Sequence, residues 1–217
     1  MKFKDRADAG QQLALLLSAY KHSPNVLVVG LVRGGVPVAA EIARELVVPL
    51  DIVVVRKIGA PGMPELAVGA LTQTGQSILN YAMMQTMGIT EQQIAPIIRQ
   101  EQKELARRLS VYREDKKSPN YADKTVILVD DGIATGATMQ AAIASVKELG
   151  AKRLVLAVPV CPAEVAQKLS ELVDEFICLE QQPDYFPAVG YFYEHFEQVE
   201  DETVKSLMAS IFSGAKK

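Results

Sequence analysis

The sequence predicts an α/β fold, doubly wound, with a mainly parallel central sheet flanked by helices. Three observations point there. Short apolar runs rich in β-branched residues, Val26 to Gly30, Asp51 to Val55, Val126 to Val129, Arg153 to Val158 and Glu175 to Leu179, read as strands covered on both faces, which is the habit of a parallel sheet. Segments with apolar residues at helical spacing alternate with them. Two turns, Arg33-Gly34-Gly35 and Asp130-Asp131-Gly132, each follow a strand and lead into a helix.

In chain order, Asp5 can cap a first helix whose apolar positions Ala9, Leu13, Leu16, Leu17 and Tyr20 recur at helical spacing, and Ser23-Pro24-Asn25 ends it. After the first strand and its glycine turn, Pro37 suits the opening turn of a helix that buries Ala40, Ala43 and Leu46. With the strand Asp51 to Val55 this makes a βαβ unit, whose crossover should be right-handed. Arg56 to Glu65, with two glycines and two prolines, reads as a loop. A short hairpin follows around Thr72-Gln73-Thr74-Gly75. From Asn80 to Lys117 the chain turns helical, with Thr90 and Gln93 as a capping box, Pro96 interrupting, and Ile98, Leu105, Leu109 and Tyr112 as a narrow apolar stripe. Ser118 begins a connector. Met139, Ile143, Val146 and Leu149 form a helix ended by Gly150, and Pro162 opens another. The last segment concentrates aromatic residues between Gln182 and Phe196, then reads as an amphipathic helix from Asp201 to Phe212. The expected organisation is one domain over 1–217: a core of about 26–180, a helical insertion of about 80–117 and a C-terminal hood of about 180–217.

Composition narrows the function classes. With 217 residues, 49% hydrophobic and 23% charged, the chain can fill one core. A net charge of -3 and the lack of a basic run argue against nucleic acid. No apolar stretch approaches a membrane span or a signal-peptide core, so a cytoplasmic protein is expected. Cys161 and Cys178 lack metal-site spacing and are expected reduced and buried.

The chemistry concentrates after the strand Val126 to Val129. Gly132 and Gly136 bracket a turn whose hydroxyls and free backbone N–H groups lead into a helix, an arrangement that suits a phosphate. Asp130 and Asp131 would repel that anion unless sugar hydroxyls or a divalent cation intervene. One helix cap needs only one carboxylate. A phosphorylated ribose supplies both partners.

The run Asp130-Asp131-Gly132-Ile133-Ala134-Thr135-Gly136-Ala137-Thr138, together with Val32-Arg33-Gly34-Gly35 after the first strand, resembles the type I phosphoribosyltransferase family. Arg56-Lys57-Ile58-Gly59-Ala60-Pro61-Gly62 and Pro64-Glu65-Leu66-Ala67 further resemble uncharacterised bacterial phosphoribosyltransferase-domain proteins. The resemblance implies a donor, phosphoribosyl pyrophosphate (PRPP), whose ribose hydroxyls meet Asp130 and Asp131. Its 5-phosphate would sit on Ala134, Thr135, Gly136, Ala137 and Thr138, and its pyrophosphate on Val32, Arg33, Gly34 and Gly35. It also makes Val32–Arg33 a candidate cis peptide.

By the same resemblance Arg56 and Lys57 reach the pyrophosphate, Gly59 to Glu65 is a mobile loop that excludes water, and Mg²⁺ and basic groups stabilise the leaving group. Mg²⁺ would lie near Asp130, Asp131 and Glu194, the last by a short match of Val189-Gly190-Tyr191 to the hypoxanthine enzymes. Those enzymes carry an Asp in the phosphate loop where this chain has Ala134, so Glu65 becomes the candidate acid or base. In the hood, Phe186 and Tyr191 are the acceptor candidates. The implied assembly is a homodimer working on small molecules. Two readings stay open, a transferase to a nitrogen acceptor and a PRPP-binding regulatory module; the intact Arg33-Gly34-Gly35 favours the first.

Overall fold

The computed structural model describes residues 2–113, 119–182 and 186–214, with side chains to residue 210. Residues 114–117 at the end of the expected insertion, Ser118 at the start of the connector, Pro183, Asp184 and Tyr185 in the hood, and the side chains of Ile211 and Phe212 lie outside the described residues. In chain order the elements are α1 (Arg6–Leu16), β1 (Val26–Leu31), α2 (Gly35–Leu46), β2 (Leu50–Val53), β3 (Arg56–Ala60), β4 (Met63–Leu71), β5 (Ser77–Leu79), α3 (Tyr81–Thr86), α4 (Glu91–Arg113), β6 (Thr125–Val129), α5 (Ala137–Glu148), β7 (Arg153–Pro162), α6 (Ala163–Ser170), β8 (Glu175–Gln182) and α7 (Asp201–Gly214).

The central sheet has five strands in the order β2-β1-β6-β7-β8, all paired in parallel. Its faces are read directly from alternation along the strands. Val28, Ile127, Val155 and Ala157 point to the face covered by α1 and α2, and Leu13 of α1, Leu17 just past it, and Val36 and Ile42 of α2 share one apolar cluster with them. Val29, Leu128, Leu156 and Val158 point to the other face, beneath Met139, Ile143 and Val146 of α5 and Leu169 of α6. Successive side chains of a strand alternate sides, so continuous apolar runs demand helices on both.

Several boundaries follow the sequence reading. Asp5 caps α1, its carboxylate accepting the Asp8 N–H at 2.9 Å. Thr90 and Gln93 form the capping box, the Gln93 side chain accepting the Thr90 N–H at 2.9 Å while Thr90 Oγ1 accepts the Gln93 N–H at 3.3 Å. The turn at Thr72 to Gly75 joins β4 to antiparallel β5. The Val32–Arg33 peptide is cis.

Other expectations are corrected. Arg56 to Glu65 is not a loop: β3 and β4 pair antiparallel and the turn between them is only Pro61-Gly62. Glycine and proline misled because the ladder bulges there, with register shifts at Ile58/Gly59 and Gly59/Ala60, and a bulge tolerates proline that a regular ladder does not. Leu16 faces solvent at 56% exposure, since α1 buries the narrower stripe Ala9, Gly10, Leu13 and Ala14, followed by Leu17. The aromatic stretch of the hood holds a 3-10 turn at Val189–Phe192. Cys161 is buried but Cys178 only half-buried; both are free, with burial pushing their thiols up to about 12 and about 11.

Candidate active site

Register places the two motifs side by side. Gly30 of β1 is paired with Val129 of β6, so Val32 to Gly35 and Asp130-Asp131 leave the sheet as neighbours. The β1–β6 boundary is also where the sheet order reverses, the topological switch point at which open α/β sheets form a crevice beyond their carboxyl edges.

The approach there is close. A Cβ added at Gly34 would lie 2.1 Å from Asp131 Oδ2, and one at Gly35 would lie 2.5 Å from the Val129 carbonyl oxygen. Only glycine lets the loop lie against the acidic pair. On the far side, Gly136 takes a left-handed conformation at φ 80° and opens α5 with no side-chain cap. Ala134, Thr135, Ala137 and Thr138 are exposed around it. An uncapped helix start with exposed hydroxyls beside it has donors to offer an anion.

The carboxylates differ in their surroundings. Asp130 Oδ1 accepts the Asp131 N–H at 2.9 Å. Burial, and then the charge of Asp131, push the Asp130 carboxyl well above the usual carboxylate range. Burial also raises Asp131, against the opposing pull of Arg6. Arg6 Nε donates to Asp131 Oδ2 at 2.7 Å, and the Tyr193 hydroxyl donates to the Asp131 backbone carbonyl at 2.6 Å. Neither Arg6 nor Tyr193 was singled out for this site from the sequence. Arg6 lies in an ordinary first helical turn, and Tyr193 is one aromatic among several.

Arg33 is half-buried, with Nη1 at 3.5 Å from Asp201 Oδ1 and 3.8 Å from Glu200 Oε2. Of the three residues expected to act in the reaction, none has its recorded side-chain partner in the acidic pair or the Arg33 loop. Arg56 turns to Glu101 of α4, with Nη2 at 2.6 Å and Nε at 2.7 Å from Oε2. Lys57 Nζ donates to the carboxylate and the carbonyl of Glu65, each at 3.1 Å, and the Glu65 side chain is 97% exposed. Adjacent residues on a strand point to opposite faces, so the Arg56 and Lys57 side chains leave β3 on opposite sides.

In the hood, Phe186 stacks on Phe192 with ring centroids 5.3 Å apart, and Tyr191 is 63% exposed at the edge of Phe192. Glu194 is exposed, and its N–H donates to the Phe3 carbonyl at 2.8 Å. Among the described residues no group of three or more His, Cys, Asp or Glu side chains could hold a metal ion, so Glu194 does not complete a metal cluster with Asp130 and Asp131. Two carboxylates do suit a Mg²⁺ whose remaining ligands are phosphate oxygens and water.

A doubly wound sheet with its glycine turn, acidic pair and uncapped helix gathered at the switch point defines an α/β protein with a ligand crevice at its carboxyl edge. The chain belongs to the phosphoribosyl transferase domain family, which matches residues 6–191. A provisionally named phosphoribosyl transferase of Mycobacterium tuberculosis, found in strains CDC 1551 and H37Rv, is 40% identical over 206 residues, covering 95% of this chain and 46% of that protein. The chain thus spans about half the length of the curated relatives it matches. The crystal structure of TT1426 from Thermus thermophilus superposes with a TM-score of 0.80 at 38% identity, covering 97% of this chain and 99% of that one.

Proposed function

We propose that the protein transfers the phosphoribosyl group of PRPP to a nitrogen acceptor, a nucleobase or related small molecule, with release of pyrophosphate. The observation that carries this reading is the convergence at the β1–β6 boundary of a glycine loop bearing Arg33, an acidic pair and an uncapped helix N-terminus. Two anionic groups separated by a diol call for that order of donors, acceptors and donors. Asp130 and Asp131 accept hydrogen bonds from the ribose hydroxyls, residues 134–138 donate to the 5-phosphate, and the Val32 to Gly35 loop receives the pyrophosphate. Asp130 and Asp131 would hold a Mg²⁺ together with the donor's own oxygens, and the ion would supply charge neutralisation for the leaving group. Phe186 and Tyr191 mark the side from which the acceptor approaches. The protein acts on small molecules as a cytoplasmic homodimer, without nucleic acid or membrane; among the described residues no helix is long and apolar enough to cross a membrane.

The exposure of Glu65 and the presence of Ala134 in the phosphate loop favour the second reading, a PRPP-binding regulatory module. Pyrophosphate release from PRPP and Mg²⁺ across a panel of bases separates the two. Release with at least one base is expected; tight PRPP binding without turnover on any base would leave the regulatory module standing.

A further inference from the structure

Arg6 lies 125 residues from Asp131 in sequence, yet its guanidinium is engaged on three sides. Nε donates to Asp131 Oδ2 at 2.7 Å, Nη1 donates to the Glu197 carbonyl at 2.8 Å, and the guanidinium carbon sits 3.9 Å from the centre of the Phe196 ring. Phe196 stacks on Tyr193 at 4.8 Å, and the Tyr193 hydroxyl returns to the Asp131 carbonyl at 2.6 Å. The contacts close into a ring that begins and ends on Asp131.

The ring is anchored from both chain ends. Phe3 donates its N–H to the Phe192 carbonyl and accepts that of Glu194, each at 2.8 Å, and its ring lies 5.4 Å from Tyr193. The Arg6 and Asp131 side chains are only 12% and 13% exposed. A guanidinium so enclosed is not a loose surface charge: planar donors directed at two acceptors, with an aromatic ring against one face, restrict it to one orientation.

We propose that Arg6 is a positioning residue of the sugar site, which holds Asp131 by one carboxylate oxygen and locks it to the hood so that the other oxygen faces the ribose. This rests on the reading of the site as a PRPP site. The pyrophosphate loop lies on the Gly34 side of Asp131 and the 5-phosphate loop lies beyond it, so the groups most sensitive to the Asp131 rotamer are the hydroxyls between the two anions. Arg6 acts through Asp131, touching no reacting atom. Lysine cannot replace it, because an ammonium has neither the second planar donor for the Glu197 carbonyl nor the flat face for Phe196.

The test is calorimetry on the full chain with Mg²⁺, using PRPP, ribose 5-phosphate and inorganic pyrophosphate as probes. Arg6→Gln and Arg6→Lys are expected to weaken PRPP and ribose 5-phosphate on the order of tenfold, the scale of one charge-assisted hydrogen bond, with pyrophosphate changed less than about twofold. Arg6→Gln combined with Asp131→Asn is expected to bind no worse than Asp131→Asn alone. Equal losses for all three probes, losses that multiply in the double variant, or wild-type affinity in Arg6→Lys would each overturn the proposal. Phe196→Leu keeps the guanidinium and removes its platform. It must lose sugar affinity in the same direction, which keeps the test decisive if Arg6→Gln does not fold. Wild-type protein that binds no PRPP overturns the functional reading and this inference together, whereas PRPP binding unchanged by the Arg6 substitutions overturns this inference alone.

Discussion

Arg33 carries the only charged side chain of the glycine loop, and carboxylates already surround it. Asp201 Oδ1 and Glu200 Oε2 stand 3.5 Å and 3.8 Å from its Nη1. The Tyr112 hydroxyl donates to Asp201 Oδ1 at 2.6 Å and holds that carboxyl below its usual range. On the proposed reading, a pyrophosphate arriving at the loop would compete with a fixed, ionised carboxylate for the same guanidinium. Exposed ion pairs of this kind contribute about 0.2–1 kcal/mol, so Asp201→Asn should tighten pyrophosphate binding by roughly 1.4- to 5-fold, read by calorimetry. Weaker binding in that variant would mean that Asp201 orients Arg33 for the ligand.

At the scale of elements, the notable arrangement is the docking of the β3-β4-β5 sheet onto the main one. The turn between β4 and β5 is buried at Thr72 and Gln73. Gln73 Oε1 accepts the Val54 N–H at 3.0 Å just past β2, while the Gln73 N–H donates to Ser145 Oγ on α5 at 2.9 Å. One glutamine therefore joins the small sheet to both the parallel sheet and a covering helix. Ser145→Ala removes the acceptor and leaves a buried N–H without its partner. The expected destabilisation is about 1–3 kcal/mol in urea unfolding, the desolvation cost of such a group. Among the described residues, no hydrogen bond or ion pair joins the opposite turn at Pro61-Gly62 to the main sheet.

For the whole molecule, tyrosine hydroxyls tie the long helix α4, the segment after it and the C-terminal helix to the core. Tyr121 donates to buried Asp51 at 2.8 Å, with Arg113 Nη2 at 3.2 Å from the same carboxylate oxygen, and Tyr112 reaches Asp201. Burial first, then Asp201, pushes Tyr112 up to about 12 from 10.0. Burial, then Asp51, also raises Tyr121 well above its ordinary value. The folded protein keeps these protons in a range where the unfolded chain releases them. Their contribution is complete below pH 10 and declines as pH rises toward 12. Urea midpoints should fall between about pH 10 and about pH 12, and Tyr112→Phe should flatten that decline. An equally steep decline in the variant would show that the Tyr112 proton is not responsible.

The sequence by itself determined the parallel sheet and the two motifs at its carboxyl edge. Val126 to Thr138 and Val32 to Gly35 are contiguous, and a buried strand, a glycine turn and a helix start are written in neighbouring residues. It also carried the Thr90–Gln93 cap, whose partners are three residues apart. It did not show that Arg56 to Glu65 belongs to a hairpin, because the bulge that accommodates its prolines exists only once β3 and β4 pair. Nor could it join Arg6 to Asp131 or Arg33 to Asp201, partners 125 and 168 residues apart. The motifs themselves arise from local backbone preference and burial. The partners of their charged side chains were decided by tertiary structure, because long flexible side chains take whichever opposite charge the packing of helices α1 and α7 brings within reach.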